Sequence, residues 1–237
     1  MCKLIYFRNW KTLESVSKVT AVEAGQDGEC IVRFDQTPFY PTGGGQPSDC
    51  GTCSCNHKSQ TFAVKKIEQS KEKNYVSHYL EIPTVSTENS IAVGDECKLS
   101  VDPTIRLLHS RLHSAGHVID AAVKILNLHY KAHSAYHYPG GASVTFSGWI
   151  GAGKKEEVKL AIQQECDKLV EQDLPVYIEF ANSDPEDQEC NRTMRIGDII
   201  TIPCGGTHVD SLKEVGKITI RKIEAKNGTV RVGYAIN

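Results

Sequence analysis

Four side chains of metal-binding type occur in two short segments. His113 and His117 lie in Arg111-Leu-His-Ser-Ala-Gly-His117, and Cys204 and His208 lie in Cys204-Gly-Gly-Thr-His208. Histidines four apart on a helix project from one side with Cβ atoms roughly 6 Å apart, which suits two imidazole nitrogens meeting one ion. Two such ligands need partners. Cys204 and His208 supply them, because the glycines between them let the backbone turn tightly enough for thiolate and imidazole to face inward together. Three nitrogens and one sulfur favour one Zn2+ ion over magnesium or calcium, which prefer oxygen. A zinc-protease helix is excluded, since Ser114 rather than glutamate follows His113.

The elements that must position these residues can be read from periodicity. Leu107, Leu108, Leu112, Ala115, Val118, Ile119, Ala122, Val123 and Leu126 recur at helical intervals, and Asp102-Pro103 makes an N-cap and first-turn pair. A helix from about residue 103 to 127 follows. Arg195–Ile202 reads as a strand that delivers Cys204 at its end, and Pro175–Phe180 and Ala142–Ile150 read as further strands. Lys154–Gln172 has the stripe of a second helix, in Val158, Ala161, Ile162, Leu169 and Val170. Lys217–Glu224 and Thr229–Ile236 form a hairpin around Asn227-Gly228.

Upstream, short alternating runs at Ser17–Ala24, Glu29–Phe34, Thr61–Glu68, His78–Glu81 and Glu96–Val101 are separated by turns such as Gly25-Gln-Asp-Gly28. They suggest a small barrel. Within it lies Thr37-Pro-Phe-Tyr40-Pro-Thr42-Gly43-Gly44-Gly45-Gln46-Pro. Three glycines flanked by prolines cannot make an ordinary strand. Such a loop either turns with positive φ or offers bare amide N–H groups to a ligand, and Gln46 brings both a donor and an acceptor. The organisation is therefore α+β: a small N-terminal β-barrel over residues 1–101, followed over 102–237 by an α/β two-layer domain with an antiparallel sheet.

With 237 residues and a formal charge of −2, bulk electrostatic adhesion to nucleic acid is excluded, so any such partner is gripped through a small footprint. No run is long enough to cross a bilayer and no signal-peptide core is present, so a cytoplasmic protein without membrane contact is expected. The nine cysteines read as reduced thiols, with Cys2, Cys30, Cys97, Cys166 and Cys190 as scattered packing residues. Cys53 and Cys55 share one face of a strand, beside Cys50 and His57. No second ligand cluster follows at finger spacing, so the segment is not read as a metal site.

Taken together, the three segments closely resemble the editing module of alanyl-tRNA synthetase, and in particular its free-standing AlaX-type trans-editing relatives. The resemblance rests on Thr37 through Pro47, on Arg111 through His117, and on Arg195-Ile-Gly-Asp198 through Cys204-Gly-Gly-Thr-His208-Val with Gly216-Lys-Ile following. The threonyl-tRNA synthetase editing domain shares the two-part zinc signature but lacks the glycine-rich segment, which favours the alanyl branch.

The resemblance implies an aminoacyl-tRNA deacylase. It would hydrolyse the ester joining serine chiefly, and glycine secondarily, to the 3′ end of tRNA(Ala), acting in trans because no aminoacylation domain precedes it. A hydrophobic activation pocket cannot strongly reject a substrate that merely adds a hydroxyl, so a further sieve is needed. The resemblance also implies His113, His117, Cys204 and His208 as ligands of one zinc. If all four bind, zinc orients the terminal adenosine or the pocket, and the catalytic candidates that position the attacking water are Gln46, Thr42 and Thr207, or the substrate's own hydroxyl. If one ligand such as His208 is loose, zinc can hold water or the ester carbonyl as a Lewis acid. Gly43, Gly44, Gly45, Tyr40 and Ser134 are candidates for substrate binding, Ser134 standing where the family places a threonine and Ser143 or Thr145 being the fallback. The acceptor end of the tRNA is the expected partner, with no obligate protein partner. Lys131, Lys154, Lys155, Lys217, Arg221 and Lys222 are candidates for phosphates, and Tyr40, Tyr136 and Tyr138 for base stacking. Editing of Ser-tRNA(Thr), non-catalytic tRNA binding, and zinc hydrolysis of a small ester or amide with no RNA involved are the competing readings.

Overall fold

The structure is a computed structural model that describes residues 2–26, 29–55, 61–70, 72, 75–81, 91–181 and 191–237. Asp27, Gly28, His57 and Cys190, all named above, lie outside the described residues. The chain divides into two compact units: Met1–Gly43 with Pro47–Arg106 form most of the first, and Gly44–Gln46, Leu107–Ser183 and Cys190–Asn237 the second.

The first unit opens with β1 (Lys3–Leu4) and a single turn, α1 (Ile5–Arg8). Its body is built from β2 (Glu14–Ala24), β3 (Glu29–Phe34), the short β4 (Gln36–Thr37), β5 (Gly51–Cys55), β6 (Thr61–Gln69), β7 (Val76–Glu81) and β8 (Glu96–Val101). Six of these close a barrel in the order β2-β3-β7-β6-β5-β8. Alternation along each strand turns one set of side chains inward. Val32, Phe34, Cys53, Val64, Ile67, Leu80, Cys97 and Leu99 are buried there, and closure removes the open edges that would otherwise template aggregation. Arg106, buried with Asp49, forms an ion pair in this unit and also donates to the carbonyls of Trp10 and Pro38.

One sequence reading is corrected here. Cys55 and Cys97 are joined as a disulfide rather than standing as separate thiols. Their strands are antiparallel neighbours, and the register sets Cys55 directly opposite Cys97. A sequence separation of 42 gives no sign of that pairing.

The second unit is carried by α2 (Pro103–Ile125), β9 (Lys131–Tyr136), β10 (Ser143–Ser147), α3 (Lys155–Glu171), β11 (Val176–Phe180), β12 (Arg192–Ile196), β13 (Ile200–Pro203), the one-turn α4 (Leu212–Val215), β14 (Ile218–Lys226) and β15 (Thr229–Ile236). α2 starts as expected: the Asp102 carboxylate accepts from the Thr104 and Ile105 N–H groups at 2.8 and 3.1 Å, satisfying donors that a helix start leaves open. An antiparallel sheet, β14-β15-β10-β9, accompanies a three-stranded antiparallel sheet, β11-β12-β13. Ala115, Ile119 and Ala122 of α2, Ile162 and Leu169 of α3, and Phe146, Met194, Val230 and Val232 of the strands share one apolar core. The β14–β15 hairpin turns at Asn227 and Gly228 with φ of 51° and 74°, the left-handed pair such a two-residue turn needs.

Arg195–Ile202 is not one strand. β12 and β13 pair back on each other with Ile196 opposite Ile200, and the chain reverses at Gly197 (φ 45°). Periodicity alone ran the two together, but Gly197-Asp198 turns them into a hairpin that still ends at Cys204. Among the described residues no helix is long and apolar enough to cross a membrane.

Candidate metal centre

On α2 the inward stripe is Ser110, His113, Ser114 and His117, a polar row set into a helix whose flanking residues are apolar and buried. Helical spacing puts these four side chains in line. After β13, the segment from Cys204 to Val209 returns over that stripe. One ligand atom from each of His113, His117, Cys204 and His208 lies within 4.8 Å of the others. Cys204 Sγ stands 3.4 Å from His113 Nε2 and 3.2 Å from His208 Nε2. A tetrahedral ion with ordinary nitrogen and sulfur bond lengths holds such atoms about 3.5 Å apart. His117 Nε2 is buried and has no hydrogen-bond partner, an unusual condition for a ring nitrogen unless a cation takes its lone pair.

The ligand set is held from behind. Gln46 is fully buried, and its Oε1 accepts from His113 Nδ1 at 2.7 Å and from the Thr207 N–H at 3.1 Å. Its Nε2 donates to Thr207 Oγ1 at 2.9 Å, where Ser110 Oγ also donates at 2.7 Å. With Nδ1 of His113 committed as donor, Nε2 is left as the lone-pair nitrogen facing Cys204. Ser114 Oγ stands 3.4 Å from His208 Nδ1 and accepts from the Val209 N–H at 3.2 Å. Arg192, itself buried, donates to the Cys204 carbonyl and fixes the turn that carries the thiol. Gly206 has no room for a side chain, since a Cβ there would come within 2.2 Å of His113 Cε1.

Electrostatics keep the imidazoles neutral. Burial first, and then the neighbouring His208, His137 and His117, hold His113 well below its ordinary pKa. Burial, with His117 second, does the same for His208. His117 is pushed down to about 3 by burial and then by His137. Burial raises the Cys204 thiol, opposed by the Gly206 backbone N–H and Arg192. Neutral imidazoles and a buried thiol beside an arginine make a soft donor set that a divalent cation would complete.

The remaining sequence candidates are distributed as follows. Gly44, Gly45 and Gln46 belong to the same unit as the cluster. Gly45 (φ 78°) accepts at its carbonyl from the His137 N–H at 2.8 Å, and a Cβ there would meet the Ala135 carbonyl oxygen at 2.3 Å. Tyr40, Thr42 and Gly43 belong to the barrel unit. There Tyr40 is buried against Tyr6 with its hydroxyl donating to the Gly43 carbonyl at 2.8 Å, and Thr42 is exposed. Ser134 is exposed on β9 opposite Thr145, while the buried Ser143 hydroxyl accepts from Arg231. Tyr136 and Tyr138 stack on each other at 4.3 Å.

Sequence reasoning missed Ser110, Arg192 and His137 as members of the site. His137 stacks on His113 at 4.4 Å and is tied through Nδ1 to the Tyr234 hydroxyl at 2.6 Å, which itself donates to the Leu112 carbonyl. The i, i+3, i+4, i+7 spacing of Ser110 with His113, Ser114 and His117 was visible in the sequence. Nothing local marked His137 or Arg192. On the same unit a cleft of about 490 Å³ is lined by Asp120, Lys124, His129, Tyr130, Lys131 and Ile202 among others.

The chain resembles known sequences. A family described as "tRNA synthetases class II (A)" matches residues 7–105, and one described as "Threonyl and Alanyl tRNA synthetase second additional domain" matches residues 192–231. The alanyl-tRNA editing protein AlaX-L of Pyrococcus horikoshii is 29% identical over 96% of this chain and 56% of its own length. AlaX-M of the same organism is 27% identical over 92% of this chain and 89% of its own length. An alanine–tRNA ligase of Carboxydothermus hydrogenoformans is 27% identical over 94% of this chain. The chain spans about half the length of AlaX-L and about a quarter of the ligase.

Proposed function

The chain belongs with the alanyl-tRNA editing proteins and the matching module of alanine–tRNA ligases, and on that footing we propose that it is a deacylase of mischarged tRNA(Ala). The substrate is the ester at the tRNA 3′ end, chiefly that of serine and secondarily that of glycine. Likeness to AlaX-M over most of both chains supports action in trans. The observation that carries the reading is the convergence of His113, His117, Cys204 and His208 on one point, with Gln46 of the glycine-rich segment bonded to both His113 and Thr207.

The four residues would hold one Zn2+, and with all four bound its coordination is full, so that it would orient the terminal nucleotide and the pocket. The protein's own groups do the rest. Water attacks the carbonyl carbon, the ester C–O bond breaks, and the ribose hydroxyl leaves with a proton. Thr207, buried and held by Ser110 and Gln46, orients that water. Gln46, with both ends of its amide engaged, is a positioning residue. Lys124 and Lys131, lining the cleft, take acceptor-stem phosphates. Serine is selected over alanine by polar groups on β9 and β10, Ser134 and Thr145 being cross-strand partners, since alanine would leave such groups unpaired.

A deacylation panel tests this. Ser-tRNA(Ala) is hydrolysed, Gly-tRNA(Ala) more slowly, and Ala-tRNA(Ala) and Ser-tRNA(Thr) are spared. His113→Ala and Cys204→Ala lose both bound zinc and hydrolysis. Full activity of a zinc-free His113→Ala/Cys204→Ala double variant would overturn the role given to the cluster.

A further inference from the structure

The barrel holds a second cluster of ligand-type side chains that the deacylation chemistry does not use. Cys53 and Cys55 lie two apart on β5 and turn to the same inner face, and Cys97 on β8 stands opposite Cys55. Cys53 and Cys97 are fully buried and Cys55 nearly so. Their three sulfurs lie within 4.8 Å of one another, with Cys55 and Cys97 bonded. A cross-strand disulfide needs two cysteines. Cys53 turns a third sulfur onto the same point from a position paired with Leu99, where any small apolar residue would satisfy the packing.

We propose that Cys53, Cys55 and Cys97 form a second metal site, for a thiophilic d10 cation, which is open when Cys55 and Cys97 are reduced and closed when they are joined. The donor chemistry selects the ion. Three sulfurs converge, and no histidine or carboxylate joins them among the described residues, which suits zinc, cadmium or cuprous ions and excludes magnesium and calcium. The surroundings, including Phe62, Val64 and Leu99, are apolar. Three thiolates there are tolerable only with a cation among them. The two states exclude each other, since sulfurs bonded to one another cannot both serve as thiolate ligands. Opening requires a reductant. A phosphine takes oxygen from one water to become its oxide and delivers two electrons, leaving thiols on Cys55 and Cys97. Each thiol that then binds the cation gives its proton to solvent.

The test is a cadmium titration of the full chain, followed by sulfur-to-cadmium charge-transfer absorption and by metal content after desalting. It is run on the phosphine-reduced chain and on the oxidised chain, whose mass is lower by two hydrogens. The reduced chain takes up one more equivalent than the oxidised chain. Cys53→Ser and Cys53→Val, which keep both disulfide partners, lose that increment, and Cys204→Ala keeps it. Because the readout is the difference between redox states, failure of the His113 cluster to bind metal would not imitate failure here. No increment on reduction, or an increment that survives both Cys53 variants, would overturn the proposal.

Discussion

Replacing Gln46 by alanine removes three hydrogen bonds from a fully buried side chain and leaves His113 Nδ1–H and the Thr207 N–H without their acceptor. Each buried donor so abandoned costs about 1–3 kcal/mol, so the folded chain loses roughly 2–6 kcal/mol before any metal is considered. The consequence for the ion is separate. His113 becomes free to turn and to exchange its ring proton between nitrogens, and losing a partner of this kind typically weakens metal binding about 10–100-fold. Gln46→Glu discriminates the two effects. A carboxylate keeps both acceptor contacts, and the Thr207 hydroxyl can turn its own proton toward it. Its charge also makes His113 a better donor to the ion. Competition against a chromophoric chelator should therefore place Gln46→Ala about 10–100-fold below the parent and Gln46→Glu within about threefold of it or tighter. Equal affinity for the parent and Gln46→Ala would refute the reasoning, as would Gln46→Glu behaving like alanine.

Three other perturbations have definite expected outcomes. Gly206→Ala drives a Cβ into His113 and Gln46 Oε1, so metal content of the oxidised chain after dialysis should fall to background while the barrel's near-ultraviolet dichroism persists. Asp49→Ala strands the buried Arg106 guanidinium, and urea unfolding should report a loss of about 3–5 kcal/mol, far beyond that of an exposed pair such as Lys65–Glu81. His78 is buried in the barrel beside Phe34 and Phe39, with Nε2 on the Thr37 hydroxyl, and burial pushes its pKa down to about 4. The unfolded chain takes up that proton near pH 6.5, so His78's contribution is complete above that pH and fades as pH falls toward 4. Stability should drop by about 2–3 kcal/mol across that window, and a His78→Phe chain should show a flatter profile in urea unfolding.

The helix that carries His113 and His117 was legible because two signals coincide on it, an apolar stripe and an N-cap at Asp102-Pro103. The barrel was legible from short alternating runs, though not its closure, which depends on β5 pairing with β8 across forty-odd residues. The four candidate ligands were singled out by their residue types together with the family resemblance, since a histidine pair four apart is by itself more often a coincidence. What supports them did not stand out. Arg192, His137 and Tyr234 act through tertiary contacts that leave no periodic trace, and the Cys55–Cys97 bond depends on strand register. The single strand expected over Arg195–Ile202 failed at Gly197, where one left-handed residue folds the chain back on itself.

The polar row on α2 also bears on how the molecule comes to be. A helix with Ser110, His113, Ser114 and His117 along its inward side has no stable place to put them until the Cys204 segment arrives, 91 residues after His113. Contacts of such long reach form slowly, because the chain between them must be ordered first. The nascent chain therefore completes this helix well before the groups that satisfy it exist. A chain truncated before Pro203 should therefore stay collapsed but loosely packed around an unanswered polar stripe.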